Sequence, residues 1–244
     1  MASILIGTSG WQYDSWKKRF YPPKLKENKK LEFYSREFNT VEINYSFYKL
    51  PAIAEFERWK KEVPKDFLFA VKASRYLTHN KKLKDAEDSW DRVLTTSYGL
   101  GSKLGPVLLQ FPQRWKVNVD RLDTFLSMVK KHSRKKPRLV FEFRNDTWFS
   151  KDVFKILSRH NAALCIADTD KFPTDDTITA DFAYFRYHGR GKSAAPNYSD
   201  EYLAKQAKKM KRLLKDGIDV YAYFNNDNKG RAIENARTLI DLMS

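Results

Sequence analysis

Eight short apolar runs divide this chain, and in most of them the polar side chains gather at the far end instead of alternating through the run. Glu42 and Asn44 close VEINYSF, Lys72 closes FLFAVK, Glu142 and Arg144 close LVFEFR, and Arg186 and His188 close AYFRYH. A parallel strand buried on both faces reads as continuous apolar sequence. Polar residues two apart at the end of such a strand point the same way, so several such ends converge on one place.

The runs place strands near 3–8, 41–46, 67–73, 106–111, 138–144, 162–168, 182–188 and 219–225. Amphipathic segments between them predict helices near 27–38, 53–63, 88–102, 120–133, 151–160, 199–215 and 230–243. The stretch DTDKFPTDDTITAD between the sixth and seventh runs carries Pro173 and no apolar stripe of helical period, so the sixth helix is replaced by an irregular loop. Ser199 or Asp200 is placed to cap the seventh helix and Gly217 to stop it. Eight alternating strand-helix units are the number that closes a sheet without leaving an edge, so the fold class is α/β, a single (β/α)8 TIM-type barrel over residues 1–244. The competing open doubly wound sheet brings a glycine-rich phosphate loop after its first strand, and GTSGWQY lacks the G-x-G-x-x-G spacing.

Composition excludes several classes. At 42% hydrophobic and 15% aromatic residues the chain has enough apolar material for a packed core, which rules against disorder. Cys165, the only cysteine, sits in the apolar run AALCIAD, so no internal disulfide forms and a reducing, cytoplasmic setting is expected. No run approaches the roughly 18 apolar residues of a membrane span. The formal charge of +16 invites a nucleic-acid partner. Its densest clusters, however, fall on Lys130, Lys131, Arg134, Lys135 and Lys136 before a strand and on Lys205, Lys208, Lys209, Lys211, Arg212 and Lys215 along a helix. Both are places that a barrel turns away from its site, where a solvated face is the competing explanation.

Taken together, GTSGWQYDSW with FYP, FNTVEINYSFYKLP, FLFAVKASRYLTH, LGPVLLQFP, VFEFRNDTW, YFRYHG and VYAYFNND with ENA resemble the YecE-like family, the domain of unknown function 72, from Gly7 to about Leu239. The resemblance implies a TIM-type barrel, related in fold to sugar isomerases and to metal-dependent endonucleases. It supplies no reaction, so function is argued from the residues.

Glu42, Lys72, Glu142 and His188 are the catalytic candidates, as acids, bases and proton relays. A carboxylate on the second strand beside a lysine on the third predicts contact between Glu42 and Lys72. Lys72 either keeps its charge beside carboxylates or has a lowered proton affinity for base or Schiff-base chemistry. Arg144 and Arg186 are forks for an anion, or else members of a closed ion network. Asn44, Gln110, Asp168 and Asn225 are candidates to orient a substrate, and Trp11 and Tyr13 in the first loop to stack on it or merely to anchor that loop. His79 is a weaker candidate, and Arg190 with Lys192 in GRGKSAAPNYS could meet an anion. Glu42, Glu142, Asp168 and His188 would suit a divalent metal, but the neighbouring cations compete for the same oxygens and no metal motif is present, so no metal ligand is assigned and no cofactor is required. The resulting expectation is an enzyme of isomerase, lyase or hydrolase type acting on a small anionic or polyhydroxylated molecule. A nucleic-acid processing protein and a noncatalytic acidic-ligand module are the alternatives.

Overall fold

The computed structural model describes residues 1–132, 137–191, 197–227 and 229–244. Its eight parallel strands are β1 (Ile4–Ser9), β2 (Thr40–Ile43), β3 (Leu68–Lys72), β4 (Leu104–Gln110), β5 (Leu139–Glu142), β6 (Ala163–Thr169), β7 (Phe182–Gly189) and β8 (Asp219–Phe224). Each pairs with the next and β8 pairs with β1, closing the barrel. Helices α1 (Lys30–Tyr34), α2 (Tyr45–Tyr48), α3 (Ile53–Glu62), α4 (Glu87–Ser97), α5 (Val119–His132), α6 (Lys151–Arg159), α7 (Asp200–Lys215) and α8 (Arg231–Met243) fill the connections. Between β6 and β7 residues 170–181 form no helix, as the lack of apolar period there predicts.

Strand parity sorts the side chains into two cores. Leu5, Ala70, Leu108, Val140, Ala163, Cys165, Phe182, Tyr184, Tyr221 and Tyr223 pack together inside the ring. Their neighbours, such as Val41, Ile43, Val71, Ile166 and Phe185, face outward under the helices. The apolar stripe of α7 docks there through Leu203, Ala207 and Met210, and Ser199 caps that helix by accepting from the Tyr202 amide at 3.2 Å. The basic residues of α7 lie on its solvent side: Lys205, Lys208, Lys211, Arg212 and Lys215 are exposed. Arg134, Lys135 and Lys136 of the other basic cluster lie outside the described residues.

Among the boundaries that differ from expectation, two shape the site. The second strand stops at Ile43, because the hydroxyl of Ser46 turns back to donate to the carbonyls of Ile43 at 3.0 Å and Lys72 at 2.6 Å. Asn44 therefore lies past the ladder in helical conformation (φ −88, ψ −25). The expected helix over 27–38 shrinks to a 3-10 turn, Glu27–Lys29, and the single turn of α1. Tyr34 of α1 drives its hydroxyl into the seam between β1 and β2, donating to Thr40 O and receiving the Thr8 amide, each at 3.0 Å. That close approach requires glycine at position 7, where a Cβ would stand 2.2 Å from Thr40 O.

Candidate functional site

The carboxyl ends of β2, β5 and β7 bring three charges to the barrel axis. Arg186 is fully buried. Its Nε and Nη2 donate to Glu42 Oε2 and Oε1 at 3.0 and 2.7 Å, a bidentate pair, and its Nη1 donates to Glu142 Oε2. Glu42 also receives Ser9 Oγ at 2.6 Å and Tyr184 Oη at 2.7 Å. Glu142 receives Arg144 Nε and Nη2 on Oε1 at 2.8 and 2.6 Å, and His188 Nε2 lies 3.4 Å from Oε2. Burial pushes both carboxyls up, but the Arg186 charge and the donors around them hold both below the ordinary carboxylate range. Four donors on four lone-pair positions leave Glu42 nothing to offer a ligand.

Lys72 stands one strand away and is treated differently. No contact with Glu42 forms, contrary to expectation, because Arg186, Ser9 and Tyr184 already occupy both oxygens. The Lys72 ammonium instead sits 4.4 Å from the centre of the Phe47 ring. Burial, then repulsion from Arg186, pulls its pKa down to about 8. Phe47 also meets His79 edge-on at 5.0 Å. Burial and the Lys72 charge pull His79 down to about 4, so this imidazole is neutral at physiological pH. Gln110 closes that side, donating to the Phe111 carbonyl at 2.8 Å with its amide 3.5 Å from His79.

The opposite side of the mouth is built by Arg144, His188 and Asn225. Phe172, from the irregular loop, packs its ring 4.6 Å from the Arg144 guanidinium and 5.5 Å from His188. His188 is driven down by burial despite Glu142 beside it, and Asn225 Nδ2 reaches its Nδ1 at 3.1 Å. Arg144 spends Nε and Nη2 on Glu142. Tyr13 covers the β1 side. Its hydroxyl donates to the Ser9 carbonyl, and burial with nearby Asp227 and Glu42 pushes it up to about 12, the Asn44 amide opposing. Asn44 Oδ1 is buried with no hydrogen-bond partner.

Two candidates are not brought to this mouth. Gly10, at φ +89, turns the chain outward, and Trp11 packs edge-on against Trp59 of α3 at 5.2 Å in the outer core. Its reading as loop anchor replaces its reading as a stacking wall. Asp168 shares the outward parity of Ile166 and is held by Arg190 Nε at 2.8 Å, Tyr198 Oη at 3.1 Å and Tyr202 Oη. It ties β6 to α7 and faces away from the axis. Arg190 is thereby occupied, and Lys192 lies outside the described residues. The four proposed metal donors are thus split between two faces. No group of three or more His, Cys, Asp or Glu side chains among the described residues is arranged to hold a metal ion, and the carboxylates on the axis are filled by arginine, so the donor set does not fit a divalent cation.

Ser9, Tyr184, Phe47 and Phe172 were missed in the sequence. Ser9 and Tyr184 share inner parity with the charged ends and were legible in principle. Phe172 carries no periodic signal. A cavity of about 470 Å³ opens elsewhere, at the amino ends of the strands near Phe38, Phe67 and Ile240. Its volume exceeds that of the groove of about 380 Å³ beside the mouth, but its charged lining residues, Arg36, Glu37 and Asp66, are exposed, unlike the buried charges around Arg186.

Residues 5–244 match the family described as protein of unknown function DUF72. The chain belongs to the DUF72 family. It is 30% identical to the UPF0759 protein YunF of Bacillus subtilis, over 98% of this chain and 94% of that protein. It is also 30% identical to the UPF0759 protein YecE of Escherichia coli, over 45% of this chain and 38% of that one. A crystal structure of a DUF72 family protein from Thermotoga maritima superposes with a TM-score of 0.87 at 28% identity, covering 99% of both chains. Another, from Enterococcus faecalis, has a TM-score of 0.80 at 20% identity over 100% of this chain and 98% of that one and shares the fold.

Proposed function

We propose that the carboxyl end of this DUF72 barrel is an active site for a small anionic or polyhydroxylated molecule, of the sugar or sugar-phosphate kind, and that it works by proton transfer through Lys72. The observation that carries this is the unequal treatment of the inner charges. A general base must lose and regain a proton near the working pH. Lys72, pulled to about 8, meets that condition. Glu42 and Glu142 do not, being ionised, buried and saturated with donors, so the acid-base roles expected of them pass to Lys72. The carboxylates instead keep Arg186 and Arg144 charged and in place.

In this reading Arg144 recognises the anion, and the unpartnered Asn44 Oδ1 accepts from a ligand hydroxyl. Gln110 and Asn225 orient further hydroxyls, and His188 relays protons. Lys72 would take a proton from a carbon next to a carbonyl and return it, as isomerisation or elimination requires. The lone buried thiol fits a reducing cytoplasm, and no helix among the described residues is long and apolar enough to cross a membrane. The test is thermal stabilisation by a panel of sugar phosphates and hydroxy acids, followed by solvent deuterium exchange into any ligand found. A wild-type protein stabilised by none of them, or stabilised equally in Lys72→Met and Arg144→Met, would end the reading.

A second reading, binding of single-stranded nucleic acid, is favoured by one feature. A groove of about 380 Å³ beside the mouth is lined by Phe47, Tyr48, Arg75, Tyr76 and Arg92. Tyr48 is 80% and Tyr76 55% exposed. Exposed rings with nearby cations form stacking platforms for bases. Salt-sensitive binding of an oligothymidylate that is lost in Tyr48→Ala with Tyr76→Ala would support it. Asp88 in the same groove weakens the charge match.

A further inference from the structure

We propose that Lys72 is a covalent nucleophile whose amine condenses with the carbonyl carbon of a small anionic aldehyde or ketone to form an imine. This rests on the reading of the barrel mouth as the active site and narrows its substrate to a carbonyl compound bearing a carboxylate or phosphate.

Four features of the site support it. Among the described residues no carboxylate pairs with Lys72, since the axial carboxylates are committed to Arg186, Arg144, Ser9 and Tyr184. A lysine in an ion pair presents its partner, not a lone pair, to an incoming carbonyl. Here Nζ lies 4.4 Å from the centre of the Phe47 ring, with no carboxylate paired to it. The root of the side chain is fixed. The Lys72 carbonyl accepts from Ser46 Oγ at 2.6 Å, and the amide of the next residue, Ala73, donates to the Leu108 carbonyl of β4 at 2.8 Å. A fixed root is what lets a flexible lysine hold a reacting geometry.

The electrostatics suit both ends of such a substrate. Arg144, part-exposed and seated on Phe172, offers a cation to the carboxylate or phosphate. Arg186 adds positive potential from below without surrendering its own partners. The Phe47 face that now holds the ammonium would hold an iminium equally well, because a ring attracts either cation through the same quadrupole. Covalent attachment therefore keeps the favourable contact that the free lysine makes.

The step balances without a further reagent. The nitrogen lone pair attacks the carbonyl carbon and a C–N bond forms while the carbonyl π electrons pass to oxygen. Both amine protons are transferred to that oxygen, which leaves as water when the C=N bond forms. No oxidant or reductant takes part. A protonated iminium next to a carbon acid withdraws electrons more strongly than the parent carbonyl, so the attached lysine would acidify that carbon as an electron sink and no longer as its base.

Glyoxylate is the probe, because it is the smallest aldehyde that carries a carboxylate. The full chain is incubated with glyoxylate and sodium cyanoborohydride, digested and mapped by mass spectrometry for carboxymethyl-lysine. In parallel it is treated with trinitrobenzenesulfonate, an anionic reagent that modifies free amines without forming an imine. The expected result is a reduced glyoxylate adduct on Lys72 that forms at least about tenfold faster than on Lys205 or Lys208, as its greater neutral fraction near pH 8 allows. Lys72→Met, folded by circular dichroism, should show no such preferred site. Preferential trinitrophenylation of Lys72 without a preferred glyoxylate adduct would overturn the imine and leave the acid-base reading standing. No preference for Lys72 with either reagent would overturn both.

Discussion

Arg186 and Lys72 are cations on the inner face of one barrel, and the protein treats them in opposite ways. Arg186 holds two carboxylates in a fork and burial opposes a charge that they restore. Lys72 has an aromatic ring, neighbouring arginines and a lowered proton affinity. The carboxylates chose the guanidinium because its planar donors match two oxygens at once, whereas an ammonium is a point charge. The lesson is that pairing at the axis creates the unpaired amine at the rim. One network ties three strands together at the axis, and it leaves Lys72 without a carboxylate partner.

Breaking the paired side gives the largest effect. Arg186→Met leaves two buried carboxylates facing each other and should destabilise the fold by about 3–5 kcal/mol in urea titration. A loss under about 1 kcal/mol would show that water relieves the pair and that the axis is open.

Lys72 predicts a pH dependence of opposite character. Its folded pKa, about 8, lies below its ordinary 10.5. Between those values the unfolded chain binds more protons than the folded one, so stability rises with pH across this window. The folded protein carries the penalty for a buried ammonium below about pH 8 and sheds it as the pH climbs toward 10.5. Lys72→Met should remove that rise and be more stable than wild type at neutral pH, by up to about 3 kcal/mol. Identical stability-pH curves for the two proteins would mean that Lys72 is solvated like any surface lysine.

Smaller changes sharpen the comparison. Tyr184→Phe deletes one of the four donors on Glu42 and should cost about 1–2 kcal/mol, with a rise in the Glu42 pKa visible by NMR. Rescue of stability by Glu42→Gln in the same background would show that the lost donor mattered through the carboxylate charge. Asp168→Asn should have the least effect on the mouth. It loosens the anchor to Arg190, Tyr198 and Tyr202, but the Lys72 titration should stay in place, and a shift of that titration would contradict the outward orientation of Asp168.

Asp168 also shows where reading the sequence stops. AALCIAD is apolar on both parities because both faces of a barrel strand are buried, one by the ring interior and one by the helices. Nothing in such a run labels which parity is inner. Where polar side chains occupy two alternate positions, as at Arg186 and His188, they mark the inner face themselves. β6 ends in two consecutive polar residues, Asp168 and Thr169, and so offered no such mark, and Asp168 belongs to the outer set with Ile166. The expected strand position of Asn44 differs for another reason. A hydroxyl on Ser46 ended β2 early by bonding to β3, a contact between segments 26 residues apart that no local period reveals.

From its residues alone the chain determined an eight-unit barrel, the absence of a helix between the sixth and seventh strands, and charged strand ends on one side of the ring, because burial dictates period and period is written locally. The identity of the cation that the two carboxylates would take was decided only by ring closure. Closure brings β2, β5 and β7 within hydrogen-bond reach of one guanidinium, and a carboxylate has only so many lone pairs to give. Which lysine was left without a partner followed from that competition in three dimensions.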